Sequence, residues 1–430
     1  MHMHSPHASV VHVLPDKMGG MMNVLANFLE YRRQDGLDQY VVLTHNHLSA
    51  DTRFNGQLPA DRQVTVEYSL PVENLHAVLR RLAAAIPPGP GVLVANDLLE
   101  LAMLSCHDPG RAVVQMLHGD DEYYYDLALR HAPVIDVFVT ISRAMHAELL
   151  KRLPERRDAI LCLPFGIPIP VKVRSAKAGP LRLIFAGRLE NGQKGIFDLP
   201  EIDRHLHELD VRVQWTVVGG GPDEAQLRAR WKDHAHVRWL GSRSNAEVLA
   251  LYAEQDVFVL PTRAEGFSVA LLEAMGAGLV PVVSDIASGV PDVVESGVTG
   301  FRPPVAAADG FAAAIATLDR DRDRLEIMSR AARNIIVERY DIRQRVGDYQ
   351  ALYARWQDLL RHRPQAVTLP YGSRLDQPWL PNAAVYAVRT TQRWLRGWDE
   401  PVKKSIKFRW SSVRTDGFRS IGSTSVLPSG

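Results

Sequence analysis

Two carboxylates with seven residues between them, Glu265 and Glu273, stand in the stretch Pro261-Thr262-Arg263-Ala264-Glu265-Gly266-Phe267-Ser268-Val269-Ala270-Leu271-Leu272-Glu273. The apolar run Val257 to Leu260 ahead of it reads as a strand, and the residues after Ser268 read as a helix. Gly266, Phe267 and Ser268 would then present unpaired amides at the positive end of that helix, a place for phosphate oxygens. At ~1.5 Å rise per residue, Ser268 to Glu273 spans ~7.5 Å, so the two carboxylates address different parts of one extended ligand. Carboxylates that accept from paired hydroxyls suit a sugar or a ribose. A helix that merely begins with a charged loop explains the same residues without a ligand.

A cationic counterpart lies in Leu181-Arg182-Leu183-Ile184-Phe185-Ala186-Gly187-Arg188-Leu189-Glu190-Asn191-Gly192-Gln193-Lys194-Gly195. Arg188 leaves the carboxyl end of a strand, where open α/β sheets bind ligands, and Lys194 follows on the same loop. Together they can neutralise a departing diphosphate; alone, each is an ordinary surface cation. The loop Asp16-Lys17-Met18-Gly19-Gly20 follows the first strand, and its paired glycines allow close backbone approach or a tight turn. His118-Gly119-Asp120 ends another strand and precedes Tyr123-Tyr124-Tyr125. That histidine can bond a sugar hydroxyl or lie beside developing positive charge, and the tyrosines can stack on carbohydrate; a strand-end histidine with plain aromatic packing explains the same residues without a ligand.

Other patterns lead away from particular chemistries. Gly219-Gly220-Gly221-Pro222 has Glu224 where a dinucleotide fingerprint needs its third glycine, which disfavours a nicotinamide cofactor. The pairs His2/His4, His45/His47, His205/His207 and His234/His236 lack a companion carboxylate motif, and no metal site is expected from them. Asp319-Arg320-Asp321 and Asp321-Arg322-Asp323 have the DxD form of a metal-nucleotide site but read better as a solvated helix start.

The elements that must position these groups come as two sets. Val10 to Leu14, Tyr40 to Thr44, Val92 to Ala95, Val113 to Leu117 and Val137 to Ile141 are short apolar runs separated by helical patterns, the signature of a parallel sheet covered on both faces. Ser142 reads as the cap of the helix that follows. The pattern restarts at Leu181 to Ala186, Val213 to Val218, Val237 to Leu240, Val257 to Leu260 and Val280 to Val283, after a proline-rich connection over 163–180. The fold class is therefore α/β, with two doubly wound Rossmann-like domains and a C-terminal extension. We place the first domain at 1–165, the second at 166–340, a closing helix that returns toward the first at 341–363, and a basic, Trp-containing tail at 364–430.

The 430 residues are 46% hydrophobic and 23% charged, with a net charge of +1, which rules out collagen-like and low-complexity chains and wholesale nucleic-acid electrostatics. That near-neutral total hides polarity. From Arg361 onward, twelve Lys and Arg stand against four Asp and Glu, so this end carries +8 and the remainder −7. Trp379, Trp394, Trp398 and Trp410 interleave with those cations, as in segments that lie on anionic lipid headgroups. Cys106 and Cys162 form no CxxC pair, which fits a reducing compartment. Met1 to Pro6 lacks the layout of a signal peptide, and no apolar run nears the ~20 residues needed to span a bilayer. The expected location is cytoplasmic, at the inner face of the cytoplasmic membrane if the tail touches lipid.

Taken in order, Gly19-Gly20, His118-Gly119-Asp120, Ser142, Gly187-Arg188-Leu189 with Lys194-Gly195, Gly219 to Pro222, and Glu265 with Glu273 resemble the retaining glycosyltransferases of family four. The resemblance covers residues 8 to 360. It implies the GT-B architecture, with a nucleotide-sugar donor (UDP- or GDP-linked) on the second domain and a glycan or lipid-linked oligosaccharide acceptor on the first. Residue by residue, it implies catalytic roles for His118, Arg188, Lys194 and Glu265. Donor contacts are implied for Gly19, Gly20, Gly187, Leu240, Arg243, Gly266, Phe267, Ser268 and Glu273, and acceptor contacts for Asp120, Tyr123 and Tyr124. It further implies hexose transfer with retention by front-face attack, no cofactor beyond the nucleotide-sugar co-substrate, no obligatory metal and no nucleic-acid partner. Four residues separate Leu189 from Lys194 where many relatives have three, so the register of Lys194 is the departure to test. A nucleotide-sugar 2-epimerase on the same architecture, or a degenerate glycan-binding scaffold, are the alternative readings.

Overall fold

The computed structural model describes residues 8–34, 36–231, 235–363 and 372–395. His2, His4, His234, Trp398, Trp410 and the cations beyond Leu395 lie outside them. Seven parallel strands form the first sheet: β1 (Ser9–Pro15), β2 (Asp38–Asn46), β3 (Arg62–Tyr68), β4 (Gly91–Ala95), β5 (Ala112–Leu117), β6 (Val137–Thr140) and β7 (Ile160–Cys162). Their order is β3-β2-β1-β4-β5-β6-β7. The second sheet holds β8 (Leu181–Ala186), β9 (Val213–Val218), β10 (Val237–Gly241), β11 (Val257–Leu260) and β12 (Val280–Val283), in the order β10-β9-β8-β11-β12.

Helices cover both faces of the sheets, so β4, β5, β6, β11 and β12 are largely apolar and buried along their whole length. The edge strand β3 (RQVTVEY) alternates instead, and only Val66 is fully buried, which hides it from a search for apolar runs. In each sheet the strand order reverses once, between β1 and β4 and between β8 and β11. A crevice at the carboxyl ends of the strands is the geometric consequence. Helices α1 (Gly20–Glu30), α2 (Leu75–Ala85), α3 (Leu98–Leu104), α4 (Glu122–His131) and α5 (Arg143–Arg152) lead away from the first sheet. Asp97, Asp121 and Ser142 cap α3, α4 and α5 with their side chains.

The chain passes between the sheets twice, and the passages touch. Ile167 N donates to Tyr340 O at 2.9 Å and Ile342 N donates to Ile167 O at 3.0 Å. A Cβ on Gly166 would lie 2.7 Å from Ile342 Cα, so the close approach requires glycine. The helix Ile342–Ala354 then packs on the first domain, where Tyr349 and Tyr353 meet the Phe28 ring at 6.1 Å and Tyr349 Oη donates to Leu163 O at 2.6 Å.

Part of the basic tail is also docked there. Asp376 accepts from Leu75 N at 2.8 Å, Asn382 Oδ1 accepts from Asn74 N at 2.8 Å, and Asn74 Nδ2 donates to Gln377 O and Leu380 O. Arg389 turns inward to Asp376 at 2.7 Å. These contacts clamp residues 373–389 over the amino end of α2, and the helix Asn382–Leu395 leaves Trp394 and Leu395 at 80% and 69% exposure.

Candidate active site

The loops that follow β8 and β11, the two strands at the reversal point of the second sheet, are fused into one unit. Glu190 caps the short helix Asn191–Lys194 by accepting from Gly192 N and Gln193 N at 2.7 and 2.9 Å. Gly195 follows with φ +61°, and a Cβ there would fall 2.0 Å from Pro261 O, so the chain turns where only glycine fits. Arg263 N donates to Gln193 O at 2.7 Å, and the Arg263 guanidinium grips Asp198 at 2.7 and 2.9 Å. With the loops so fixed, Lys194 Nζ pairs directly with Glu265 Oε1, and Thr262 Oγ1 lies 3.2 Å from that same oxygen.

Arg188 has no such partner. It is exposed, with no ion pair or hydrogen bond from its side chain among the described residues. The loop that carries it is braced from behind by the triple glycine: Leu189 N donates to Gly220 O at 3.0 Å, and a Cβ on Gly219 would sit 1.8 Å from Gly187 O. Thus Gly219 and Gly221 let two loops touch backbone to backbone. Glu273 lies one turn and a half into the helix Val269–Gly276, which Ser268 caps, and is 5% exposed. Asn245 Nδ2 donates to its Oε1 at 2.7 Å. Burial pushes the Glu273 carboxyl up to about 7, against the opposing pull of that bond. Leu240 is half-buried and Arg243 exposed at the end of β10 beside Asn245, on the side of the site where Glu273 sits.

The first domain supplies the opposite wall. A Cβ added to Gly266 would come within 2.2 Å of His118 O, and one added to Gly20 would meet Val269 Cγ2 at 4.0 Å. Gly19 and Gly20, at the start of α1, and His118, at the end of β5, therefore face the amino end of the helix that holds Glu273. The imidazole of His118 is neutral: burial, with the charge of Lys17 adding to it, holds its pKa down at about 4. Its tautomer follows from Asn96, whose Nδ2 donates to Val13 O at 2.7 Å and so leaves Oδ1 as the acceptor 2.8 Å from His118 Nε2. Nε2 carries the hydrogen, and Nδ1 is left with its lone pair.

Some expected groups are turned elsewhere. The Phe267 ring is buried against Phe165 and Tyr340 at 5.5 Å, where a Cβ on Gly289 would collide with it, so only its backbone can face a ligand. Asp120 accepts from Tyr125 Oη and does not border the cavity lined by Tyr123 and Tyr124. Asp321 caps the helix Arg322–Arg339, and Asp319 pairs with Arg322, as a solvated helix start requires. Asn96, Asn245 and Thr262 are site neighbours that no sequence motif announced; only the capping box Ser244 to Glu247 marks where Asn245 stands.

Residues 180–321 match the family described as Glycosyl transferases group 1. The chain is 34% identical to the putative colanic acid biosynthesis glycosyltransferase WcaL of Salmonella typhimurium over 59% of its own length and 65% of WcaL, so it spans slightly less than two thirds of that relative. It is also 34% identical to the amylovoran biosynthesis glycosyltransferase AmsK of Erwinia amylovora, over 35% of this chain and 39% of AmsK. In fold it is similar to Anabaena HepE, solved with UDP and glucose, at a TM-score of 0.64 and 19% identity over 80% of this chain and 100% of that one.

Proposed function

We propose that this chain, a group 1 glycosyltransferase of GT-B architecture by the match of its second domain and its fold neighbours, moves a hexose from a UDP- or GDP-linked donor to a glycan or lipid-linked oligosaccharide. The observation that carries the reading is the placement of Arg188 and the Lys194–Glu265 pair at the reversal point of the second sheet, opposite His118 and Gly19-Gly20. The names of WcaL and AmsK support a role in polysaccharide assembly, and the UDP and glucose of HepE support a UDP-sugar donor.

In this reading the diphosphate lies at the amino end of the helix Val269–Gly276, where the Gly266 to Ser268 amides and Arg188 meet its oxygens. Glu273 accepts from the ribose hydroxyls, and Leu240 and Arg243 border the base. As the bond between the anomeric carbon and the phosphate oxygen breaks, the charge gained by the phosphate is met by Arg188 and Lys194, so no metal is required for that neutralisation. Glu265 holds Lys194 in register and accepts from a donor-sugar hydroxyl with its remaining lone pairs. The acceptor oxygen attacks from the face the phosphate leaves, and its proton passes to the departing phosphate oxygen, which retains configuration.

The neutral His118 adds no repulsion at the cationic sugar centre and offers Nδ1 to a sugar hydroxyl. Glu265 and Glu273 sit on different ligand parts and do not form the close carboxylate pair of a covalent double displacement. The exposed Trp379, Trp394 and Leu395 support a peripheral contact with anionic membrane at the inner face of the cytoplasmic membrane. Calorimetry against UDP-, GDP- and ADP-sugars with and without EDTA tests the reading. One donor should bind, insensitive to EDTA, and a protein that binds none of them would sink it.

A further inference from the structure

An ion pair joins the two domains at the start of α5. Asp292, on the short helix Val290–Val293 of the second domain, accepts from the backbone N–H of Arg143 at 2.9 Å through Oδ2 and from Arg143 Nε at 2.8 Å through Oδ1. Arg143 is the first residue of α5 in the first domain, and Ser142 caps that helix by accepting from Met145 N at 3.2 Å. The Asp292 carboxylate therefore takes a first-turn amide that the cap leaves open. The two halves of this contact are unequal. The Arg143 side chain is 72% exposed, so its guanidinium is screened and contributes little. Asp292 is only 12% exposed and meets an amide at the positive end of a ten-residue helix, where a charge-assisted bond is strong and directional.

The contact stands between the paired chain passages and the donor loop. Its charge reaches Tyr340 in one passage, whose phenol burial and then Asp292 push up to about 12. On the other side, Gly289 N donates to Gly266 O at 3.1 Å, and a Cβ on Gly289 would lie 1.8 Å from the Phe267 ring. Residues 289–292 thus cannot shift without moving Gly266 and Phe267. Gly266 in turn approaches His118 O so closely that a Cβ on it would come within 2.2 Å. The first domain holds this loop at two places, α5 through Asp292 and the end of β5 through His118. Two supports fix an angle that one would leave free.

We propose that Asp292 is a positioning residue for the donor site: seated on the amino end of α5, its carboxylate sets the angle at which the loop carrying the Gly266 to Ser268 amides meets His118. The Arg143 amide is its receptor, and the guanidinium is secondary. The proposal rests on the transferase reading for the word donor, whereas the support itself is tested without any ligand. Asp292 touches no reacting atom, and its effect on transfer passes through Gly289 and Gly266.

The test uses the full chain and substitutions that divide the contact. Arg143→Pro removes the amide hydrogen at a first helical position, where proline is tolerated, after a Ser142 already extended at φ −142° and ψ 159°, as a residue before proline must be. Asp292→Ala removes the carboxylate, and Arg143→Ala removes the guanidinium alone. Hydrogen exchange of peptides covering 262–268, with no ligand present, should quicken about tenfold or more in the first two and at most about threefold in the third. With a nucleotide-sugar that wild type turns over, kcat/KM should fall in the same order. The double variant Arg143→Pro with Asp292→Ala should be no worse than either single one, because both remove the same contact. Thermal midpoints should stay within error of wild type. Circular dichroism checks folding, and Asp292→Ala carries the test by itself if Arg143→Pro does not fold. Folded Asp292→Ala with wild-type exchange at 262–268 overturns the proposal. So does an effect of Arg143→Ala as large as that of Arg143→Pro, a loss that adds in the double variant, or a fall in thermal midpoint that tracks the fall in rate. Quickened exchange in a protein that takes no nucleotide-sugar upholds the support and fails the transferase reading alone.

Discussion

Lys194 and Glu265 form an ion pair that joins the loop after β8 to the loop after β11, and the Lys194 and Glu265 side chains are only 17% and 8% exposed. Neither residue can be altered without leaving the other short of its partner in a poorly solvated place. Glu265→Gln should lower nucleotide-sugar turnover by about 10² to 10³-fold, the scale of losing one preorganised transition-state contact. Initial rates at saturating donor check this, and near-wild-type turnover would remove Glu265 from the site.

Arg188 offers the opposite case, an exposed cation whose removal should leave the fold alone. For Arg188→Ala the unfolding free energy should stay within about 0.5 kcal/mol of wild type while turnover falls by about 100-fold or more. Denaturant melts and rate measurements on one preparation separate the two effects. A loss of stability matching the loss of rate would assign Arg188 to structure.

Glu273 links the site to pH. Its folded-state value of about 7 lies above the unfolded carboxylate value of 4.5, so the folded protein binds more protons between those limits and loses stability as pH rises through them. The full effect of this one group is on the order of 3 kcal/mol. Glu100 acts in the same direction, whereas His12 and His118, held down near 4 by burial, add stability as pH rises toward 6.5. The measurement is therefore a difference: the stability of Glu273→Gln minus that of wild type should grow between about pH 4.5 and 7 and level off above. A flat difference would mean that Glu273 is ionised throughout.

Gly266→Ala tests the facing of the two walls. Its Cβ would be forced against His118 O, so the walls must separate. Turnover should drop about 10-fold to 100-fold with little change in the thermal midpoint, and small-angle scattering should report a larger radius of gyration. Unchanged scattering with unchanged rate would show that the walls do not close this far in solution.

Gly347 serves as a counterpoint, since it lies inside the helix Ile342–Ala354 with open space around its Cβ position. Gly347→Ala should raise stability by about 0.5–1 kcal/mol through helix propensity, without altering turnover. A denaturant midpoint at or below wild type would show that the position is more crowded than it looks.

The central strands and the chemistry-bearing loops were readable because each is a local signal. Val257 to Leu260 is an uninterrupted apolar run, and Glu265 and Glu273 flank a helix start within nine residues of each other. What resisted reading depends on distance. Asn96 and His118 meet across two strands, Asn245 reaches Glu273 from another helix, and Asp376 caps the chain at Leu75 some three hundred residues earlier. Arg389 was legible as a cation but not as one already matched, because its partner comes from the fold. Phe267 carried a motif position whose ring packs the core, an outcome that spacing alone does not distinguish from ligand contact.

The two chain passages, hydrogen-bonded to each other at Ile167, Tyr340 and Ile342, act mechanically as a two-ply ligament. Cords lashed side by side bend together but do not slide, so relative movement of the halves reduces to a swing about one line. Displacement then grows with distance from that line. Groups beside it, such as Phe267 set edge-on against Phe165, move least, and the rim opposite travels furthest and sets the widest opening between the two walls.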